Sequence, residues 1–208
     1  LAPAGPLLQT LATRTAADCS SHRLTDTQMS EGTAPLQHCS ERLLAGADSI
    51  VAAAAVLGEN QRQEEEPGRL SSGGCALANA ARDFALVGAA LDDQDWAAAT
   101  EPLAAVGVSL ATASASLEGL LDATALADAA AELDDASCVT GCISLAAAAG
   151  PNLQVAGALL ASVGEVLGAH GEGLLGAGTT PAHVEAGERL CAAGEETTRA
   201  GEHLTEAG

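Results

Sequence analysis

Lysine is absent from the 208-residue sequence, and eight arginines stand against 28 Asp and Glu residues, for a net charge of −20. Residues 1–82 are only mildly acidic, and most of the negative charge lies in residues 83–208. Such a chain repels nucleic acid and anionic membranes, so we expect neither as a partner. Two settings fit: the cytoplasm of a salt-adapted organism, where screening removes self-repulsion, or a secreted, extracellular location.

Aromatic residues are nearly absent as well, with one Phe, one Trp and no Tyr. Pockets for flat organic ligands usually contain aromatic side chains, so their scarcity argues against such a pocket. The hydrophobic fraction of 48%, mostly Ala and Leu, excludes a disordered acidic polymer. No segment alternates apolar and polar residues with period two, so we predict an all-α protein.

Glycine recurs every seventh residue in the segment GALLASVGEVLGAHGEGLLGAG, residues 157–178, with Leu at a second heptad position. Each glycine inside a helix costs about 0.5–1 kcal/mol relative to Ala, so a regular repeat requires compensation. Without a side chain at that position, a neighbouring helix can approach closely and Leu fills the groove. This pattern predicts tight helix seams, and the seam glycines on the last two helices are Gly157, Gly164, Gly171, Gly187, Gly194 and Gly201.

The predicted fold is an antiparallel up-and-down bundle of about five to seven helices in a single domain, residues 1–208. Proline and cap residues place the helix boundaries, with Asp93 or Asp95 capping one helix and Thr180-Pro181 opening the last. Residues 20–35 are predicted as a loop with at most one turn of helix, and 64–74 as an exposed linker, which allows a division into an N-terminal hairpin (1–66) and a main bundle (73–208). The predicted helices are 6–19, 35–65, 74–91, 95–121, 122–149, 151–177 and 181 to the end.

Residues 136–164 carry no charge, a length that would suit a membrane span. Gly150-Pro151-Asn152 lies inside this segment, with Gln154 just beyond, and each half is too short to cross a bilayer. We therefore predict a buried helical corner and no transmembrane segment.

Six cysteines are dispersed through the chain. An even, dispersed set fits disulfides between helices in an oxidising compartment, whereas buried free thiols are the plainer interpretation. The sequence leaves both open for Cys19, Cys39, Cys75, Cys138, Cys142 and Cys191.

A metal site is a weaker interpretation of two of these cysteines. Cys138 and Cys142 lie one helical turn apart, and His170 or Cys191 from a neighbouring helix could complete a site for a soft metal. No histidine follows Glu at the Glu-x-x-His spacing of di-iron bundles, and no Cys-x-x-Cys occurs. We predict no cofactor and no catalytic constellation.

Glutamates follow several of the seam glycines and form acidic stripes, which we interpret either as a solvated face or as an edge that binds a cation or a partner. The stripes consist of Glu165, Glu172, Glu188, Glu195 and Glu202.

The leading functional hypothesis is a non-enzymatic bundle that acts through helix-mediated association, with a protein partner or with itself, in a structural, adaptor or surface role. The alternative is a carrier of a small ligand or metal that uses the bundle core and the Cys138/Cys142 face. An enzyme of unrecognised type is the third.

Overall fold

A computed structural model describes residues 26–60, 65–93, 95–140, 146–178 and 180–208. Of these residues 93% are helical, in six helices and without a strand, which confirms the predicted all-α class. The helices are α1 (Asp26–Asn60), α2 (Glu65–Asp92), α3 (Trp96–Leu117), α4 (Thr124–Thr140), α5 (Ala146–Ala177) and α6 (Pro181–Ala207). The predicted helix at 6–19 lies outside the described residues.

The six helices form a closed ring in which each one packs on its neighbours in the sequence and α6 returns to pack on α1. Neighbours run antiparallel. Gly74 of α2 lies against Ala47 of α1. Further along α2, Gly88 lies against Leu36, which comes earlier in α1. The predicted up-and-down bundle is therefore confirmed.

Two helix starts follow the predicted cap residues. Asp95 precedes α3, and its carboxylate accepts a hydrogen bond from the amide of Ala98 at 3.0 Å. Thr180 caps α6 through the amide of His183, and Pro181 occupies the first turn, where its missing amide hydrogen has no cost. In the turn that joins α3 to α4, Gly119 adopts a φ of +83°, which suits glycine.

Two predicted breaks are instead helical. Residues 26–34 belong to α1 rather than to a loop, and 65–74 form the start of α2 rather than a linker. The negative charges of Glu65 and Glu66, in the first turn of α2, interact favourably with the positive end of the helix dipole and so stabilise this helix start. Gly73 and Gly74 are buried against α3 and α1, so this segment has packing that the sequence did not reveal.

The predicted stop and restart at Gly150-Pro151 is also wrong, because α5 begins at Ala146 and continues to Ala177. Pro151 is the sixth residue of α5, so one backbone hydrogen bond is lost near the start of the helix, and the helix continues past it. Residues Ala149–Ala177 are long and apolar enough to cross a membrane by length and composition, and 33% of the most apolar window is buried in the bundle.

The core is built mainly from large hydrophobic side chains at heptad spacing on the helices, with Ala or Gly between them; in α6 Thr197 takes one of these positions, between Leu190 and Leu204. Phe84 is the one aromatic residue among these fully buried side chains. Burial of side chains of this size stabilises a fold by about 1.5–3 kcal/mol each. Representative buried residues, helix by helix, are Leu43 and Ile50, Leu77 and Phe84, Leu103 and Leu110, Leu126 and Leu133, Leu160 and Leu167, and Leu190 and Leu204.

Candidate functional site

The predicted seam glycines of α5 and α6 meet in pairs across the α5–α6 interface. The pairs are Gly157 with Gly201, Gly164 with Gly194, and Gly171 with Gly187. A Cβ atom on Gly194 would lie 2.6 Å from the carbonyl oxygen of Gly164, so the two backbones are in direct contact. The structure thus brings all six residues together, and this α5–α6 seam is used for packing within one chain.

A regular set of polar contacts, which sequence reasoning missed, accompanies this seam. The thiol of Cys191 donates to the carbonyl oxygen of Gly168 at 3.7 Å. One heptad further, the hydroxyl of Thr198 donates to the carbonyl oxygen of Ala161 at 3.4 Å. Thr205 occupies the next heptad position, where its hydroxyl donates to the carbonyl oxygen of Gly201 in its own helix at 2.9 Å and lies 3.5 Å from that of Gln154. The seven-residue spacing of Cys191, Thr198 and Thr205 was the available signal.

The acidic stripes lie on the outside of this seam. A shallow groove of about 410 Å³ runs over Gly164, Gly168 and Gly194. Arg199 reaches into it and pairs with Glu195 and Glu196 at 3.5 and 3.0 Å. Burial first, and then the charges of Glu172 and Glu195, raise the pKa of the Cys191 thiol. Four acidic residues line the groove: Glu165, Glu172, Glu195 and Glu202. The fifth residue of the stripes, Glu188, lies beyond it beside Arg189.

The four described cysteines are free thiols. Cys39 is fully buried in the core, and this burial raises the pKa of its thiol. Cys75 and Cys138 are exposed, and Cys191 is half-buried. No disulfide joins any two of these four residues, and Cys19 and Cys142 lie outside the described part of the chain.

The structure does not bring Cys138 and His170 together. Asn152 of α5 lies level with Glu132 of α4, where its amide donates to the Glu132 carbonyl oxygen. Because α4 and α5 are antiparallel, Cys138 lies from that level toward one end of the bundle and His170 toward the other. Cys138 is six residues beyond Glu132 and His170 is eighteen residues beyond Asn152, so at 1.5 Å per residue Cys138 and His170 are about 36 Å apart along the bundle.

His170 has a different neighbour. Its Nε2 atom lies 3.4 Å from a carboxylate oxygen of Glu66 on α2, which makes a contact between helices on opposite sides of the ring. Among the residues that the structure describes, no three His, Cys, Asp or Glu side chains are arranged to hold a metal ion.

The outward side of α3 is one of two nearly uncharged parts of the described surface, the other being the first half of α5, where residues 146–164 carry no charge. Glu101 is the one charged residue in the 22 residues of this helix. Val108 is 69% exposed, and on the neighbouring helix Leu86 is 56% exposed. We call the exposed residues of this side the outer α3 face: Ala97, Ala98, Glu101, Val108, Ala111, Thr112 and Ala115.

Hydroxyl groups on this side are used within α3 itself. Thr112 donates to the carbonyl oxygen of Val108 at 2.8 Å, and Ser116 donates to that of Thr112 at 2.9 Å. Their hydrogen-bond donors are therefore not offered to solvent, and the outer α3 face is more apolar than its sequence suggests. Sequence reasoning, which followed only the inward seam of this helix, missed this face; the signal was the near absence of charge.

No protein-family model matches the chain, and no curated protein is significantly similar to it.

Proposed function

We propose that this protein is a non-enzymatic helical bundle that acts by association, and that the outer α3 face is the surface through which it associates. A structural or adaptor role follows from such a surface. The observation that carries the proposal is the exposure of Val108, 69%, on a nearly uncharged helix of a chain with a net charge of −20.

Charge supports this choice of surface. A chain this acidic repels other acidic proteins over most of its surface, and repulsion is weakest where charge is lowest. Apolar residues cluster at the centres of protein interfaces, where charged residues are depleted. Val108 is surrounded on α3 by Ala and Thr rather than by carboxylates, so a partner that covers it buries no charge of the adjacent turns of α3.

The α5–α6 seam supports packing of helix against helix as the mode of association. Within the chain, small residues at heptad spacing allow two helices to pack with their backbones in contact. The outward side of α3 has small residues at similar spacing, at Ala97, Ala104, Ala111 and Ala115. A helix is therefore the partner element that fits it best.

The carrier alternative receives less support. Its proposed face combined Cys138 with Cys142, and Cys142 lies outside the described residues. Cys138 is exposed at the end of α4, far from His170, and the described core is lined by aliphatic side chains. We therefore do not propose a ligand or metal.

Site-specific photocrosslinking in cells that produce the protein tests the proposal. A photoreactive residue replaces Val108 in one variant and Val155 of α5, 46% exposed, in the control. We expect a discrete crosslinked product at position 108 and none at 155, with the partner identified by mass spectrometry and the contact reproduced with purified components. Equal, diffuse labelling at both positions, or none at 108, would contradict the proposal.

A further inference from the structure

We propose that the partner of the outer α3 face is a basic amphipathic helix, apolar along its centre and with Lys or Arg along one edge, which docks on the α4 side of that face. This inference rests on the proposed function and names the chemistry of the partner. Three features of the structure support it: the distribution of basic residues, the small residues between α3 and α4, and the carboxylates that border them.

Basic residues are confined to one part of the molecule. Between Arg82 and His170 the sequence contains no Lys, Arg or His, and this segment comprises the end of α2, all of α3 and α4, and most of α5. The ion pairs within the described part of the chain lie on α1, α2, α6 and the second half of α5. The carboxylates of α4 therefore have no basic residue on α4, on α3 or on the adjoining half of α5 to neutralise them.

Small residues form a shallow groove between α3 and α4. A Cβ on Gly107 of α3 would lie 3.1 Å from the carbonyl oxygen of Ala130 on α4, so the two helices approach closely there. Val108 follows on the outward side of this contact, level with Ala131 of the antiparallel helix. Spacings of three and four residues align the small side chains along the groove, where a further helix can lie close. The α3–α4 groove consists of Ala104, Val108, Ala111, Ala127 and Ala131, all exposed or half-buried.

Exposed carboxylates border the α3–α4 groove. Asp128 and Asp135 are one heptad apart on α4, so they lie on one side of that helix, about 10.5 Å apart along its axis. Asp134 lies one turn beyond Ala131 at one end of the groove, and Glu101 of α3 lies near the same end. A helix that follows the groove with Lys or Arg at heptad spacing can therefore pair with Asp128 and Asp135 together. Charge complementarity of this kind speeds association and selects the partner.

The α2 side of the outer α3 face suits a basic partner less well. Since Gly73 of α2 lies against Leu117 at the end of α3, the antiparallel register places Arg82 level with Val108. Arg82 is exposed and would repel Lys or Arg of a partner that lay between α2 and α3. The α4 side has carboxylates and no basic residue, so the charges direct the partner to the α3–α4 groove.

Fluorescence anisotropy with a labelled peptide tests the inference on the purified full chain. The probe is an amphipathic peptide of about 21 residues, close to the length of α3, with Ala and Leu along one side and Lys at heptad spacing along its edge. One control peptide has Glu in place of each Lys, and a second has the Lys peptide's composition in scrambled order. We expect the Lys peptide to bind more tightly than either control, and its affinity to fall as salt is raised.

Three variants locate the binding site. Asp128→Asn with Asp135→Asn removes two carboxylates, and we expect the dissociation constant of the Lys peptide to rise about 5–10-fold. Val108→Ser changes no charge but removes the exposed apolar side chain, and we expect a rise of about fivefold or more. Glu165→Gln with Glu172→Gln is the matched control, because it removes two exposed carboxylates one heptad apart on α5. It should change the dissociation constant less than about twofold.

Equal binding of the Lys peptide and its scrambled control would overturn the inference, as would an equal loss of affinity in the α4 and α5 double variants. The photocrosslink at Val108 separates this inference from the proposed function. We expect the crosslinked segment of the partner to be a helix rich in Lys or Arg. If position 108 crosslinks to an acidic segment or to a second copy of this chain, the basic partner is wrong and the proposed function stands. If it crosslinks to nothing, both fail.

Discussion

Replacement of Gly164 by Ala tests whether the α5–α6 seam depends on backbone contact. In an ordinary helix interior this change stabilises by up to about 1 kcal/mol, because Ala has the higher helix propensity. Here a Cβ at position 164 would lie 2.5 Å from the amide nitrogen of Thr198 and 2.6 Å from the carbonyl oxygen of Gly194. Both are backbone atoms of α6, so no side-chain rotation relieves the contact.

The magnitude follows from two opposing effects. Overpacking of this kind costs about 1–3 kcal/mol, and it also displaces the hydroxyl of Thr198 from the carbonyl oxygen of Ala161. After the propensity gain is subtracted, we expect Gly164→Ala to lower the free energy of unfolding by about 1–2 kcal/mol. For a chain of this size the Tm should then fall by about 2–8 °C.

The same helix provides a matched control of opposite sign. Gly168 lies one turn further along α5, and a Cβ there would meet no atom within 4 Å. Gly168→Ala should therefore raise the free energy of unfolding by about 0.5–1 kcal/mol. Thermal and urea unfolding followed by circular dichroism at 222 nm would measure both variants. If Gly164→Ala is as stable as the wild type, the helices are not in backbone contact and the seam argument is refuted.

Three further predictions concern single side chains. Thr197 is fully buried, and its hydroxyl has no hydrogen-bond partner among the described residues. Thr197→Val should therefore raise the free energy of unfolding by about 1 kcal/mol, measured by urea titration. A decrease in that free energy would show that the hydroxyl is paired. Asp122 accepts hydrogen bonds from the hydroxyl and amide of Thr124, and these bonds lower the pKa of its carboxyl below the ordinary 3.8. The ionised carboxylate therefore stabilises the fold fully above about pH 5, and this stabilisation is lost as the pH falls through the lowered pKa. Asp122→Ala should thus reduce stability more at neutral pH than in acid, and an equal loss at both would contradict this. Cys39, buried and with a raised pKa, should react with iodoacetamide far more slowly than exposed Cys75, as peptide mass spectrometry would show; equal rates would mean that the core opens readily.

Much of the fold was predictable because the positions of Leu and Gly in this chain indicate which side of each helix packs against a neighbour. Buried Leu at heptad spacing marks the inward side of most helices, as Leu103 and Leu110 do in α3. Glycine at heptad spacing on two consecutive helices indicated a close approach, and the α5–α6 seam has that geometry. Caps were equally informative, since Asp95 and Thr180 accept the hydrogen bonds expected of them.

Helix starts in polar segments were not predictable in the same way. Residues 65–74 contain Pro, two Ser and three Gly, a composition typical of a linker. Their helical state depends on Gly73 and Gly74 packing against side chains of α3 and α1, which are distant in sequence. Tertiary contacts therefore outweigh local propensity here, and no local pattern records them.

The outer α3 face escaped prediction because alanine suits both sides of a helix. Ala113 is buried in the core, whereas Ala111 and Ala115 are exposed, and nothing in the residue type separates them. Once the leucines assign one side of α3 to the core, the opposite side becomes informative by contrast. A solvated surface helix normally carries charge on its outward side, and the other helices of this acidic chain do so except in the first half of α5. The near absence of charge around Val108 is therefore a property of the folded surface, and it is there that we place the interface.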